Sequence, residues 1–152
     1  MELVELTKIY KTLEVLESMV DISRGHFENK NLKNSHPLEK ATSFSFGRQC
    51  GHTKAITDYI TKHDNHIGDV IVVCRNESMK TLHYSDTSRG IPLSTCVDEI
   101  NRMIFRGREE KSVTLFFDSC DPEGIRKFFN KLYACRNTYS TIGSVVIVAP
   151  TF

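Results

Sequence analysis

The chain of 152 residues lacks any clear excess of charge, because 20 basic side chains stand against 19 acidic ones. Proteins that bind nucleic acid or an acidic membrane through their overall charge carry a marked basic excess, so neither partner is indicated, although a local patch for nucleic acid stays open. The chain also lacks an apolar run near the roughly 18 residues of a membrane span, and its N-terminus lacks a basic segment followed by an apolar one. We therefore expect a soluble, cytoplasmic protein with no membrane partner.

The five cysteines lack any recognisable pairing pattern. They are odd in number, widely separated and without a C-x-x-C pair: Cys50, Cys74, Cys96, Cys120 and Cys135. A disulfide framework or a zinc site would show regular spacing, so neither is indicated. We interpret the cysteines as reduced thiols, most of which behave as small buried apolar residues.

Residues 1–40 are predicted to form an N-terminal amphipathic helix and a polar linker. Apolar residues recur at spacings of three and four, which predicts a helix from Glu2 to Ile22: Leu6, Ile9, Leu13, Leu16 and Val20. The apolar stripe either packs on the sheet of its own domain, which we favour, or binds a protein partner. Residues 23–40 contain glycine, asparagine and proline, and these predict a linker.

Residues 41–152 are predicted to form one α/β domain. Three continuous runs of β-branched and aromatic residues, 70–74, 113–117 and 145–148, are typical of neighbouring parallel strands covered on both faces. An earlier strand carries Phe44 and Phe46, and stretches with helical periodicity separate the strands. We therefore expect an open, mainly parallel sheet flanked by helices.

Signals at the ends of elements refine this prediction. Asp121 followed by Pro122 is a favoured start for the helix before the last strand. Residues 94–107 predict another helix, capped by Ser94 or Thr95 and ended by Gly107. Residues 85–92 are expected to form a polar connection without regular structure.

A glycine-flanked turn lies between the first strand of this domain and its first helix. It has the layout of a phosphate-binding loop: Gly47-Arg48-Gln49-Cys50-Gly51-His52-Thr53. In such loops backbone N–H groups hold phosphates, a lysine reaches the outer phosphates and a hydroxyl binds Mg²⁺. Gly51 and Thr53 match the usual pattern, whereas Phe46 replaces its first glycine and His52 replaces its lysine. The alternative is an ordinary strand-to-helix turn.

The run from Gly47 to Thr53 resembles the G-R-Q-x-G-K-T phosphate loop of large terminase subunits, the packaging ATPases of tailed phages. These are P-loop NTPases of the additional-strand class, which also contains helicases. Residues 113–118 resemble the second nucleotide motif of that class, four apolar residues and an aspartate. Residues 145–151 resemble the strand and turn that couple hydrolysis to movement. The resemblance covers about residues 41–152 and implies a P-loop NTPase-like fold, located in the bacterial host cytoplasm if the protein is phage-encoded.

The resemblance implies that the ligands are ATP and Mg²⁺. The nucleotide would be held by Gly47, Gln49, Cys50, Gly51, His52 and Thr53. Mg²⁺ would be held by Thr53 and Asp118. The catalytic residues would be Asp118 and Arg48, the latter as an arginine finger within the loop. Alternatively, Asp118 is a capping or surface carboxylate and Arg48 is an ordinary exposed arginine.

Two departures from the family pattern predict weak or absent ATP hydrolysis. His52 offers one donor and no permanent charge where the family has lysine, although bound phosphates would raise its pKa. Ser119 stands where the family commonly has the glutamate that orients the attacking water, and Asp121 is better interpreted as a helix cap. The missing groups act on the transition state or the outer phosphates, so hydrolysis should suffer more than binding. We expect a degenerate nucleotide-binding protein. The alternative is a non-catalytic pseudo-ATPase that serves as a protein-binding or regulatory module of a phage or host assembly.

Overall fold

A computed structural model describes residues 3–32, 35–44, 52–63, 70–84, 90–93, 112–134 and 140–148. Within these ranges the chain forms the α-helices α1 (Leu3–Glu28), α2 (His52–His63), α3 (Glu77–His83) and α4 (Pro122–Ala134). The strands are β1 (Thr42–Phe44), β2 (Val70–Cys74), β3 (Gly90–Pro92), β4 (Val113–Asp118) and β5 (Ile142–Val148). Short 3-10 turns occupy Lys30–Leu32 and Pro37–Lys40.

The strands form one open sheet in the order β1-β5-β4-β2-β3, and every neighbouring pair is parallel. The predicted open, parallel α/β architecture is therefore confirmed. All residues of β2 and β4 are buried, as their continuous apolar sequences predict for strands covered on both faces. The strand order also separates β1 from β4, because β5 lies between them.

Helices cover both faces of the sheet because successive strand residues point to opposite sides. On one face, Phe128, Phe129 and Leu132 of α4 pack with Ile71 and Leu115. On the other face, α1 and α2 pack with the alternate strand positions. The buried residues that α1 and α2 contribute there are Leu16, Val20, Ala55, Ile56, Tyr59 and Ile60.

The described part of the apolar stripe of α1 packs on the sheet of its own domain, as we favoured. The helix is longer than predicted, because it continues through Glu28 and places Phe27 in the core on the α4 side. Its polar residue Ser23 is fully buried, where its Oγ donates to the carbonyl of Lys40 at 2.8 Å and accepts from the N–H of Val145 at 2.8 Å. The predicted linker start at residue 23 was wrong because a serine that reads as a loop signal has buried partners here.

Residues 85–92 were wrongly predicted to be only a polar connection, because β3 occupies Gly90–Pro92 and pairs with β2. A strand of three residues is too short to show periodicity, and glycine and proline normally argue against a strand. Its place at the edge of the sheet makes proline acceptable. The helix predicted over residues 94–107 lies outside the described residues.

The predicted start of α4 is confirmed. Asp121 is the cap residue, since its Oδ2 accepts from the N–H of Gly124 at 2.9 Å, and Pro122 is the first residue of the helix. The carboxylate of Asp121 is thereby committed to the helix and does not replace the glutamate missing at position 119.

Candidate functional site

The candidate site lies at the edge of the sheet where the parallel strands end. Asp118 is the last residue of β4, and it pairs with Cys74 of β2 on one side and Val148 of β5 on the other. In open α/β sheets, the carboxyl ends of strands form the crevice in which ligands bind. The first turn of α2 reaches this edge, because the side chain of Thr53 contacts Asp118 there.

The carboxylate of Asp118 is fully buried and accepts hydrogen bonds from hydroxyl groups of three residues. Thr53 Oγ1 donates to Oδ2 at 2.8 Å, and Tyr84 Oη donates to the same oxygen at 2.5 Å. Ser119 Oγ donates to Oδ1 at 3.0 Å. Asp118 is therefore neither a surface carboxylate nor a helix cap. It is the centre of a buried polar cluster, which we call the Asp118 cluster: Thr53, Tyr84, Asp118 and Ser119.

Tyr84 is the member of this cluster that the sequence did not suggest. Its side chain is fully buried, and burial together with the neighbouring charge of Asp118 strongly raises the pKa of its phenol. The hydroxyl therefore stays protonated and acts as a donor. The residue follows α3 and directly precedes the segment 85–92 that was predicted to be a polar connection, and no motif marks a tyrosine at that position. Only the folded chain brings it to Asp118.

His52, which stands where the phosphate-loop pattern has lysine, is the first residue of α2 and is 8% exposed. Burial lowers the pKa of its imidazole below the ordinary 6.5, and the charge of Asp118 opposes this shift only in part. The N-terminal end of a helix also disfavours a positive charge. In the unliganded protein His52 is therefore neutral at pH 7 and does not supply the permanent charge of a lysine.

Ser119, the residue after Asp118, has a left-handed backbone with φ of 59°. A residue other than glycine costs about 1 kcal/mol or more in that region, so the turn after β4 holds some strain. Its N–H donates to the carbonyl of Val148 at 3.0 Å, and its hydroxyl is bonded to Asp118.

Cys74, which faces Asp118 across the strand pair, does not add a reactive group to the site. Its Sγ donates to the carbonyl of Ile91 at 3.5 Å, and burial raises the pKa of the thiol to about 11. Cys74 and Cys120 are both buried thiols that take part in no disulfide, as predicted. The other three cysteines lie outside the described residues.

The structure brings together three of the predicted site residues. Thr53 and Asp118 are hydrogen-bonded, and His52 lies close enough for the charge of Asp118 to affect the pKa of its imidazole. The remaining predicted residues lie outside the described part of the chain: Gly47, Arg48, Gln49, Cys50 and Gly51. Their roles stay predictions. The Thr53–Asp118 contact joins two separately recognised motifs, 65 residues apart in the chain.

A search of the described residues finds no group of three or more histidine, cysteine, aspartate or glutamate side chains arranged to hold a metal ion. Among the described helices, none combines the length and apolar character needed to cross a bilayer. No protein-family model, curated protein or solved structure gives a significant match to the chain. The case for function therefore rests on the Asp118 cluster and the strand order.

Proposed function

We propose that this chain is a degenerate P-loop nucleotide-binding protein that takes ATP with Mg²⁺ and hydrolyses it weakly or not at all. The observation that carries the proposal is the 2.8 Å hydrogen bond from Thr53 Oγ1 to Asp118 Oδ2. Thr53 is the last residue of the phosphate-loop motif. Asp118 is the last residue of the apolar strand that resembles the second nucleotide motif. The resemblance requires both to act on one Mg²⁺, so their contact is the arrangement that it predicts.

The strand order supports the same proposal. The chain runs from β1 to α2 across residues 45–51, where the loop motif lies, and β4 ends in Asp118. In a parallel sheet the carboxyl ends of the strands lie along one edge, so the end of β1, which precedes the loop motif, and the end of β4, which carries Asp118, lie along the same edge. Here β5 lies between β1 and β4 and pairs in parallel with both. A random α/β domain has no reason to combine this order with a Thr53–Asp118 contact.

The chemistry of the two side chains fits Mg²⁺. Thr53 donates its hydroxyl proton to Asp118, which leaves the oxygen lone pairs of Thr53 available to a hard cation. Among the described residues, the hydrogen bonds to the Asp118 carboxylate come from hydroxyl groups, and no lysine or arginine forms an ion pair with it. A buried anion of this kind gains from a nearby cation. When bound, Mg²⁺ would neutralise phosphate charge, and Thr53 and Asp118 would hold it.

Weak hydrolysis follows from the same residues. His52 is neutral and buried, so position 52 does not supply the positive charge of a lysine to the outer phosphates unless ligand binding protonates the imidazole. Ser119 supplies no carboxylate to orient water, and Asp121 caps α4 instead. Since charge stabilisation and an oriented nucleophile supply most of the catalysis in phosphoryl transfer, binding should persist better than turnover.

The second candidate function is a pseudo-ATPase that serves as a protein-binding or regulatory module. It is favoured by the burial of His52 and by the full use of the Ser119 hydroxyl within the protein. Under this proposal the Asp118 cluster is a structural remnant and no nucleotide binds. The two candidates therefore differ in one measurable property, the affinity for ATP with Mg²⁺.

Calorimetric titration of ATP, with Mg²⁺ and with EDTA, tests the proposed function. Wild-type protein should bind ATP more tightly when Mg²⁺ is present. Thr53→Val removes the hydroxyl with little change in shape and should weaken the Mg²⁺-dependent binding by about 1.5 kcal/mol, roughly ten-fold. Thr53→Ser keeps the hydroxyl and should retain most of the affinity.

Thr57→Val is the matched control, since Thr57 lies one turn further along α2 and its Oγ1 donates only to the carbonyl of Lys54. This variant should bind like the wild type. If ATP fails to bind wild-type protein at millimolar concentration with Mg²⁺, the binding-module function replaces the proposed one. Equal losses in Thr53→Val and Thr57→Val would place any Mg²⁺ site elsewhere.

A further inference from the structure

The hydroxyl of Tyr84 shares one carboxylate oxygen with the hydroxyl of Thr53. Both donate to Oδ2 of Asp118, while Ser119 serves Oδ1. The two phosphate-site motifs account for Thr53 and Asp118 but not for Tyr84. Tyr84, which belongs to a different part of the chain, thus holds Oδ2 of Asp118 from a second side.

The position of Tyr84 is built by close packing around it. Its backbone N–H donates to the carbonyl of Lys80 at 2.9 Å, which closes the last turn of α3. Gly90, the first residue of β3, makes room for the ring, because a Cβ at this position would lie 2.6 Å from the Cβ of Tyr84. The side chain therefore starts beside the edge strand β3 and reaches Asp118 on β4, with β2 lying between these strands in the sheet.

The hydroxyl adds nothing to packing that a phenylalanine would not supply. A buried hydroxyl is costly without an acceptor, and a buried carboxylate is costly without donors, so each group satisfies the other. A hydrogen bond to an ionised oxygen is stronger and more directional than one between neutral groups. The bond therefore limits the rotation of the Asp118 carboxylate.

We propose that Tyr84 is a positioning residue of the nucleotide site, whose hydroxyl holds the Asp118 carboxylate in the orientation in which Thr53 and Asp118 together favour Mg²⁺. This inference rests on the proposed function. Tyr84 touches neither phosphate nor metal in this scheme and acts only through Asp118. Its removal should weaken the contribution of Mg²⁺ to nucleotide binding, not nucleotide binding as a whole.

The test compares Tyr84→Phe with Tyr59→Phe by calorimetric titration of ATP, with Mg²⁺ and with EDTA. Tyr59 is a second buried tyrosine in the same core layer, and its ring packs edge-on against Phe116. The measured quantity, for each protein, is its ATP affinity with Mg²⁺ divided by its ATP affinity with EDTA. Tyr84→Phe should reduce this ratio by about ten-fold with little change in EDTA, since one bond to a charged group is lost. Tyr59→Phe should leave the ratio unchanged.

A measurement on the wild-type protein keeps the test valid even if Tyr84→Phe fails to fold. The hydroxyl proton of Tyr84, buried and bonded to a carboxylate, should give a slowly exchanging NMR signal. That signal should shift when ATP and Mg²⁺ are added together and stay in place when ATP is added with EDTA.

The outcomes separate the inference from the proposed function. If the wild type binds ATP more tightly with Mg²⁺ and the affinity ratio of Tyr84→Phe is equal to or above that of the wild type, the positioning role is overturned. The proposed function then stays intact. An equal loss of affinity with Mg²⁺ and with EDTA indicates a purely structural tyrosine and also overturns it. Absence of ATP binding by the wild type overturns both.

Discussion

Two buried polar clusters join distant parts of this chain, and they are built differently. In the first, Ser23 of α1 links the carbonyl of Lys40 to the N–H of Val145. In the second, the carboxylate of Asp118 accepts hydrogen bonds from the hydroxyl groups of two residues before it in the chain and one after it. Ser23 donates one bond and accepts one, and it carries no charge. Asp118 only accepts, and it carries a negative charge into a site with no accessible surface.

This difference distinguishes a structural role at Ser23 from the functional role proposed for Asp118. A neutral side chain with one donor and one acceptor, both used, leaves nothing for a ligand to satisfy. A buried carboxylate surrounded by neutral hydroxyls pays a desolvation cost that hydrogen bonds only partly offset. Such an arrangement weakens the fold and favours a cation. Substitution of Ser23 should therefore lower the stability of the fold more than ATP binding. Substitution of Asp118 should lower ATP binding more than the stability of the fold.

The largest expected effect is that of Asp118→Asn on ATP affinity. Losing the charge should weaken Mg²⁺-dependent binding by about 3 kcal/mol, roughly 100-fold, while the free energy of unfolding stays equal or rises because a buried charge has gone. Calorimetry and urea denaturation measure the two effects. Asp121→Asn is the control, since asparagine also caps helices well and should change neither. A loss of stability without a loss of affinity would make Asp118 structural.

Ser23→Ala should show the reverse result. The change removes the donor to the Lys40 carbonyl and the acceptor of the Val145 N–H, both in a buried place, so the free energy of unfolding should fall by roughly 2 kcal/mol. ATP affinity should stay within two-fold of wild type, about 0.4 kcal/mol. Urea denaturation measures the first and calorimetry the second, with the exposed Ser78→Ala as control. A matching fall in ATP affinity would contradict the separation of the two clusters.

His52→Lys addresses the charge that the candidate site lacks. A permanent positive charge should tighten ATP binding by roughly 1 to 2 kcal/mol, the value of one charge-assisted hydrogen bond to phosphate. Turnover should improve much less, because Ser119 still supplies no carboxylate. Calorimetry and phosphate release measure the two effects. A Lys variant that binds no better than wild type would show that position 52 does not face phosphate.

The pH dependence of ATP affinity and of stability distinguishes the wild type from His52→Lys. Burial lowers the pKa of His52 below 6.5 in the free protein, whereas bound phosphate would raise it, so binding takes up a proton. ATP affinity should then rise as pH falls below the pKa of the bound form. Without ATP, stability should fall as pH drops below 6.5, since the unfolded chain binds that proton first. The Lys variant should lack the His52 part of both trends, which calorimetry and denaturation at several pH values measure.

The smallest effects are expected at Ser119. Ser119→Ala loses the bond to Asp118 and should cost about 1 kcal/mol of stability. Ser119→Gly loses the same bond but relieves a positive φ, a gain of about 1 kcal/mol, so its stability should stay close to that of wild type. Urea denaturation of the pair isolates the backbone strain. Equal losses in both variants would mean that the left-handed turn costs nothing here.

Local patterns predicted the elements whose signals are strong and contained within them. The continuous β-branched runs predicted β2, β4 and β5, because strands buried on both faces need apolar residues at every position. Asp121 and Pro122 predicted the start of α4 for an equally local reason, the need to satisfy free N–H groups. Short or mixed sequence signals led to wrong predictions of secondary structure. Gly90–Pro92 reads as a turn but pairs with β2, and Ser23 reads as a loop residue but lies in a buried turn of α1.

The candidate site divides in the same way. Thr53 and Asp118 could be selected from the sequence because each ends a motif with its own local spacing. Nothing in the sequence links Tyr84 to them, since its contact depends on the order of β3, β2 and β4 and on the space left by Gly90. The neutral state of His52 and the left-handed turn at Ser119 likewise depend on burial and chain direction. Residue types and spacings determine which groups are present and which elements they form, whereas strand order and packing decide which groups meet, because those contacts arise between residues far apart in the chain.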